Sequence, residues 1–353
     1  MRQNENVSKP TLNDVATAAG VSRATASRAL SSYGRVSGST VAMVKQIADE
    51  MGYQPNEIAR SMRAGKTRTI GLVIIADFTN VFFDRATKGI VDTARDLGYQ
   101  VLIYNTNEDV ALEREAITTL TQKRVDGLIV VPSTDEGHEH LIALTKTSTP
   151  LVIIDRELSG VNATMIVTDD ATSCEAAVHE AFELGHRSMG FLIATPAATG
   201  FQEIRPELQN SAIESRVRGF LAATKKHREI RAQWAFSEES PETALSAARH
   251  LLDSDIAPSI IFTSNNDMAL AVLKVAGERG LTIGKQVSLV TVDDSPWLDA
   301  ITPGITVISR PVAELAELAV RKLAAQMEKS ATKPEVVLLP TQLISRGSVA
   351  NLT

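Results

Sequence analysis

The spacing of apolar positions changes character along this chain. Over Thr11–Leu30, TLNDVATAAGVSRATASRAL, the residues Leu12, Val15, Ala16 and Ala19 recur at helical spacing, and Ala26, Ala29 and Leu30 do so again. Gly20 takes positive φ without strain and ends the first helix. Ser22 stands where an N-cap belongs for the second. Small residues on both helices let them cross closely. The pattern predicts a helix-turn-helix. Thr40–Met51 reads as a third helix, with Val41, Val44, Ile47, Ala48 and Met51 on one face. That face closes a small core with Val15, Val21 and Leu30, and Gly52 caps the helix.

Pro55–Thr67 has a different texture. Asn56 is placed to cap a helix whose one face is Ile58, Ala59 and Met62, with Arg60 and Arg63 beside it. So short a helix does not hold alone in water, so the segment reads as a linker until it finds a partner. From Thr69 onward, strand patterns alternate with amphipathic helices. TIGLVII, YQVLIYN, DGLIVV, PLVIID, MIVTD, SMGFLIA, SIIFTS, VSLVTVDD and VVLLP read as strands. Alternating β and α predicts parallel sheets with helices on both faces. So many units suit two doubly wound subdomains better than one. The expected division is a disordered tail at 1–10, a helix-turn-helix domain at 11–54, and a hinge helix and linker at 55–68. A core follows at 69–347, with subdomains at about 69–168 and 169–298 and later segments crossing back, and then a tail at 348–353.

Polar residues collect where the core strands end, which is where open α/β sheets bind ligands. Asp77, Thr79, Asn80, Phe82 and Phe83 follow the first strand. Asp155 and Arg156 follow PLVII, Asn266 and Asp267 follow SIIFTS, and Asp293 and Asp294 follow VSLVTV. Arg216 opens a long helix. Carboxylates accept from hydroxyls, arginine and asparagine donate, and phenylalanine covers the apolar face of a ring. The mixture suits a neutral polyhydroxylated molecule. For each residue alone, capping the next helix is an equally good account.

Charge divides the chain in the same place. The net charge of −6 over 353 residues conceals a net of +5 in residues 1–69 and −11 in the rest. A nucleic-acid-binding module attached to an acidic core predicts that split. On the second helix, Ala24, Ser27 and Arg28 face away from Ala26 and Leu30, with Arg23 at the tip. An arginine in the first turn opposes the helix dipole, and a phosphate or a guanine edge accounts for the placement; plain solvation is the alternative. Cys174, the single cysteine, excludes a disulfide framework and reads as a small buried hydrophobe. No signal peptide or bilayer-length apolar run is evident. The six histidines show no metal spacing, and His138 and His140 read as solvated loop residues. Neither a metal nor a cofactor is expected.

TLNDVATAAGVSRATASRAL, followed by MGYQPNEIARSMRAGKTRTIGLV, resembles the N-terminus of the lactose repressor family of bacterial transcription regulators, and the resemblance runs from about Thr11 to Gly347. It departs at Ser31, Val41 and Ala26, where the family usually has Asn, Arg and Val. The resemblance implies a DNA-facing set of Thr11, Ser22, Arg23, Ala24, Thr25, Ser27, Arg28, Tyr53, Asn56, Ala59, Met62, Arg63 and Lys66. It also implies that the hinge folds on DNA, pairs with its dimer mate and inserts Met62, where Leu is usual, into the minor groove. The core is similar to periplasmic sugar-binding proteins, in which the chain crosses three times between the halves. NVFF, IDR, RVRGF, NND and VDD each match a pocket segment of the ribose-binding members. By that likeness Asn80, Asp155, Arg156, Arg216, Asn266 and Asp293 bind hydroxyls, and Phe82 and Phe83 stack. Arg310 falls in the pocket where Gln is usual, which argues against ribose itself. Ala197–Asn210 is longer than usual and is expected to lid or obstruct the pocket.

The expected protein is therefore a homodimeric, cytoplasmic, nucleoid-associated regulator. It is a repressor released from a palindromic operator by a pentose, hexose or inositol-like effector. One alternative is a catabolite-control-type regulator whose core answers to a protein partner. A more remote one is a sugar-processing enzyme using Asp155 and Asp293 as an acid/base pair, though no nucleophile, phosphate loop or metal cluster accompanies them.

Overall fold

The computed structural model describes residues 10–31, 35–53, 66–75, 80–195, 200–201, 208, 210–238, 240–328 and 333–353. They fall into two compact units, divided after Thr67.

The first unit is three helices: α1 (Leu12–Ala18), α2 (Arg23–Ser31) and α3 (Gly38–Glu50). Thr11 and Asp14 form a reciprocal capping box at the start of α1. Gly20, at φ 62°, turns the chain so that the Val21 N–H donates back to the Ala16 carbonyl at 3.0 Å. Ser22 Oγ then accepts from the Thr25 N–H at 3.1 Å, which caps α2. Ser37 does the same for α3, two residues earlier than the periodicity predicts. The core is Val15, Ala16, Ala19, Ala26, Ala29, Val44 and Ala48, with Leu12, Val21, Leu30, Val41 and Ile47 around it. Its small members allow the close crossing.

The second unit contains two sheets. The first runs β12-β5-β4-β3-β1-β2 and is parallel throughout. Its strands are β1 (Thr69–Ile74), β2 (Gln100–Asn105), β3 (Gly127–Val130), β4 (Leu151–Ile154), β5 (Thr164–Asp169) and β12 (Val336–Pro340). Ile70, Leu72 and Ile74 of β1 pack under α4 (Val81–Asp96) and α12 (Val312–Glu328), while Val73 faces the other side with α5 (Val110–Gln122) and α6 (Glu139–Leu144). This two-residue alternation, apolar on both faces, is what a sheet covered on both sides requires.

The second sheet runs β13-β11-β10-β9-β6-β8-β7. It comprises β6 (Ser188–Ala194), β7 (Gly200–Phe201), β8 (Arg231–Ser237), β9 (Ile260–Thr263), β10 (Ser288–Val292), β11 (Thr306–Ser309) and β13 (Gln342–Ile344). Only β7 and β13, at its edges, are antiparallel. Phe191 and Ile193 face α7 (Asp170–Glu183) and α8 (Ser211–Lys226). Leu192 and Ala194 face α9 (Pro241–Asp253) and α10 (Asn266–Glu278). Helices α7 and α8 meet so closely that a Cβ on Gly219 would lie 2.2 Å from the Ala171 carbonyl oxygen. The chain passes between the sheets after β5, after β11 and after β12. Counting only the parallel strands that precede the return crossings, both sheets share the same local order, a second strand outside the first and then third, fourth and fifth, so each has its switch point beside its first strand.

The apolar pattern does not announce α6, β8, β11, β13 or the short α11 (Pro296–Ala300). In β8, the buried Gln233 breaks the apolar run; its amide donates to the Ile256 carbonyl at 2.7 Å. His138 and His140 correct the expectation of solvated loop residues. The His140 side chain is 14% exposed and its Nε2 lies 2.6 Å from Glu113 Oε1, a carboxylate that also accepts from the Ser133 N–H. His138 Nε2 donates to the Ser159 carbonyl at 3.0 Å. Cys174 is 1% exposed, and burial pushes its thiol up to about 12, with Asp170 adding to the shift and Arg216 opposing it.

Candidate functional site

The first candidate is the outer face of α2. Its inner face is held by Ala26 and Ala29, both fully buried. Ser22, Arg23, Ala24 and Arg28 are exposed, Thr25 and Ser27 are half-buried, and Thr11 lies exposed at the start of α1. The Ser22 and Thr25 hydroxyls are 2.9 Å apart, so each has hydrogen-bonding capacity beyond the cap. The first-turn N–H groups of a helix and nearby cations form a natural seat for phosphate. Tyr53 is half-buried against the three-helix core, and Lys66 is exposed. Asn56, Ala59, Met62 and Arg63 lie outside the described residues.

The second candidate is a cleft at the carboxyl ends of both sheets. It is lined by Asn80 and Phe83 after β1, Asp155 and Arg156 after β4, Arg216 from α8, Asp293 after β10, and Arg310 after β11. Seven of the nine residues expected at the ligand site thus meet in one place. Sequence reasoning missed Ile75, Glu108, Asn210, Ala212, Ile213 and Ser264, which also line it. Asn265 and Asp267 line it as well. Glu108 belongs to a loop after β2 where it and Asn107 both have positive φ, a feature without an apolar signature. Asp77 and Thr79 lie outside the described residues, as does most of Ala197–Asn210.

Two expectations are corrected. Asn266 does not line the cleft. Its Nδ2 donates to the Val292 and Asp293 carbonyls at 2.8 and 2.6 Å, and its Oδ1 accepts from Ser295 Oγ at 3.1 Å. It shapes the end of β10, leaving Asn265 and Asp267 to the cleft wall. Phe82 is fully buried rather than lining the cleft. Its ring lies 3.7 Å beneath the Arg310 guanidinium, and Phe83 meets it edge-on at 5.0 Å. Of the two aromatics, only Phe83 lines the cleft. Asp294 also turns away; its carboxylate holds Arg346 at 2.9 Å, and its carbonyl accepts from Arg85 at 2.8 Å.

Each cleft arginine is held by a carboxylate. Arg216 Nε donates to Asp170 at 2.7 Å and Nη1 to the Ser264 carbonyl at 2.6 Å. Arg156 Nη2 donates to Glu108 at 2.5 Å and Nη1 to the Ser133 carbonyl. Among the described residues, Arg156 Nε finds no acceptor although the side chain is 2% exposed. Arg310 donates through Nε and Nη2 to both Asp293 oxygens, and through Nη1 to Asp155. Burial disfavours its charge, but Asp293 and Asp155 more than offset this and hold its pKa above the ordinary arginine value. Asp135, at the rim, has its pKa raised by burial, with Arg156 opposing; its Oδ1 accepts from Ser211 Oγ across the cleft at 3.3 Å. Among the described residues no group of three potential metal ligands occurs, and no helix is long and apolar enough to cross a membrane.

Comparison with known proteins follows the same division. Residues 11–56 match the family described as bacterial regulatory proteins, lacI family, and residues 178–349 match the periplasmic binding protein-like domain. The HTH-type transcriptional regulator PtxS of Pseudomonas plecoglossicida is 29% identical over 339 residues, covering 96% of this chain and 95% of its own. Catabolite control protein A of Priestia megaterium is 28% identical over 340 residues, covering 96% and 98%. The lac repressor dimer bound to operator and the anti-inducer ONPF superposes with a TM-score of 0.83 at 23% identity, over 97% of this chain and 99% of that one. A putative ribose operon repressor from Burkholderia thailandensis gives 0.66 at 26% identity, over 78% and 98%.

Proposed function

As a member of the lacI family of bacterial regulatory proteins the chain is a DNA-binding transcriptional regulator, and we propose that it is a homodimeric repressor released from a near-palindromic operator by a small neutral sugar or polyol. In this reading α2 enters the major groove, where Arg23 and Arg28 read base edges. Thr11, Ser22, Ala24, Thr25, Ser27 and Tyr53 line the same contact. Asn56, Ala59, Met62 and Arg63 form the hinge that opens the minor groove, and Lys66 attracts phosphate. Such a protein works in the bacterial cytoplasm on the nucleoid.

One observation carries the reading: a capped, cation-bearing α2 shares a chain with a core whose two sets of strand ends converge on one polar cleft. Arg156, Asn80 and Asn265 bring polar side chains to the cleft wall, and Phe83 offers an apolar face. The relatives are transcriptional regulators, so catalysis by Asp155 and Asp293 falls away; Arg310 moreover engages both carboxylates. That engagement favours the second reading, a core answering to a protein partner, because it leaves fewer free acceptors for hydroxyls.

The test has two arms on the full chain. Operator selection followed by sedimentation on the selected duplex should give two protomers per near-palindrome. Calorimetric titration with pentoses, hexoses, inositols and nucleosides should find at least one ligand. Binding as a monomer sinks the dimer reading, and silence across the panel transfers weight to the protein-partner reading.

A further inference from the structure

Arg310 bridges the two lobes of the core through one side chain. It lies on the segment that leaves β11 in one sheet for α12 against the other. Its Nε and Nη2 donate to Asp293 Oδ1 and Oδ2 at 2.6 and 2.7 Å, a bidentate fork at the end of β10. Its Nη1 donates to Asp155 Oδ1 at 2.7 Å, at the end of β4 in the opposite lobe. The guanidinium rests on the Phe82 ring, and all three charged residues are under a tenth exposed.

The two carboxylates are the groups that a hydroxyl-bearing ligand in this cleft would use as acceptors. A guanidinium already sits between them, making the bonds that such a ligand would make. We propose that Arg310 is a tethered competitor of the effector and the latch that bridges the lobes in its place, so that a neutral polyol reaches Asp155 and Asp293 only in the fraction of molecules whose latch is open. This rests on the reading of the cleft as a polyol site.

Two consequences follow from the chemistry. Binding is weakened by the fraction of molecules in which the latch is open, so removing the latch raises apparent affinity. Substitution by glutamine keeps a hydrogen-bonding side chain of moderate size, removes the cation, and leaves two carboxylates free to accept from hydroxyls. The lobes also lose their ionic bridge, and their separation increases. Other cross-cleft hydrogen bonds remain, from Ser211 to Asp135 and from Arg85 to the Asp294 carbonyl, so the change is an opening rather than a dissociation.

The experiment compares the full chain with Arg310→Gln. Spin labels at Asn107→Cys in one lobe and Asp299→Cys in the other report the cross-cleft distance; the native Cys174 is buried and does not compete for the label. Arg310→Gln should shift the distance distribution to longer values. Its affinity for the best-binding pentose or inositol should rise about tenfold or more. Should two uncompensated carboxylates prevent folding, the charge-free triple variant Asp155→Asn, Arg310→Gln, Asp293→Asn removes that burden and should open the cleft equally. A distance distribution superimposable on wild type overturns the latch. An affinity for the same probe no higher than wild type overturns the competition. If no probe binds either protein, the polyol reading fails by itself, and the distance measurement still decides the latch.

Discussion

Asp155 and Asp293 occupy the same position in the two lobes. Each follows the fourth parallel strand of its sheet in chain order. Each has φ 71°, in the left-handed region that side chains rarely adopt. Each N–H donates at 3.0 Å to the neighbouring fifth strand, at Ile166 and Ile308 respectively. Strain of this kind, about 1–3 kcal/mol per residue, persists where the surroundings over-determine it. Here it aims two carboxylates at one arginine.

The equivalence is structural, but the bonding is unequal, and this gives an ordering of stabilities. Asp293 takes two of the three charged hydrogen bonds from Arg310, and Asp155 takes one. Removing one member of a buried ion pair typically costs about 3–5 kcal/mol because a charge is left behind. Asp293→Ala should approach the low end of that range, since Asp155 still faces the cation. Asp155→Ala should cost clearly less. Urea unfolding of the full chain, following the core transition, measures both; equal midpoints would contradict the bonding pattern.

His186 predicts an acid-sensitive step. It is fully buried, with Nδ1 2.8 Å from Ser259 Oγ and Nε2 donating to the Ala350 carbonyl at 3.1 Å. Burial lowers its pKa below the usual 6.5, Arg187 adds to this, and the Ala350 bond opposes it. Because the folded pKa lies below the unfolded one, the unfolded chain binds the proton first as pH falls. The stabilisation is complete above about pH 6.5 and is lost as pH falls through the depressed value. The Ala350 carbonyl that accepts from His186 lies in the C-terminal segment, so loosening should begin there. The protection of the Leu352 amide from hydrogen exchange, relative to its intrinsic rate at each pH, should fall as pH drops below about 6.5 and should become insensitive to pH in His186→Asn; that amide donates to the Leu184 carbonyl.

Much of this architecture is legible in the chain because burial on both sheet faces leaves uninterrupted runs such as TIGLVII, and because Gly20 and Ser22 punctuate the first helices with single-residue chemistry. Strand β8 is not legible, since Gln233 is satisfied by a carbonyl that only the fold brings near. The cleft was legible in outline, because strand ends in open sheets converge on one side. The roles within it were not. Asn266 and Asn265 are adjacent and chemically identical in sequence; only the position of the β10 carbonyls separates the residue that shapes the turn from the one that lines the wall. Arg310 stood out as a departure from the usual glutamine, but its two partners come from different lobes.

On the α2 face, readout and attraction should separate. Arg28 is exposed on the outer surface of a helix whose inner surface is alanine. A bidentate arginine–guanine contact provides roughly 1–3 kcal/mol of discrimination. Arg28→Ala should therefore reduce the preference for operator over scrambled DNA by about tenfold or more. Lys66→Ala should weaken both duplexes similarly and reduce the slope of log affinity against log salt by about one. Fluorescence anisotropy across a salt series distinguishes them. An operator preference untouched by Arg28→Ala would remove that residue from the readout.

Ligand and operator should oppose each other. A ligand can shift the lobes only by its differential affinity for one arrangement, and the same coupling must appear in both directions. In the proposed function, movement of the lobe that follows the hinge separates two hinge segments, each too short to stay helical unpaired. Operator affinity should then fall by roughly 5–150-fold at saturating ligand, a coupling of about 1–3 kcal/mol. Saturating operator should weaken ligand binding by the same factor. Phe83→Ala removes an aromatic face from the cleft wall without touching the Arg310 bridge, so it should lose ligand response while keeping ligand-free operator affinity. Operator titrations with and without the best-binding polyol, in wild type and Phe83→Ala, read all three quantities. Tighter operator binding with ligand would make the effector a corepressor, and an unchanged ligand response in Phe83→Ala would place the effector elsewhere.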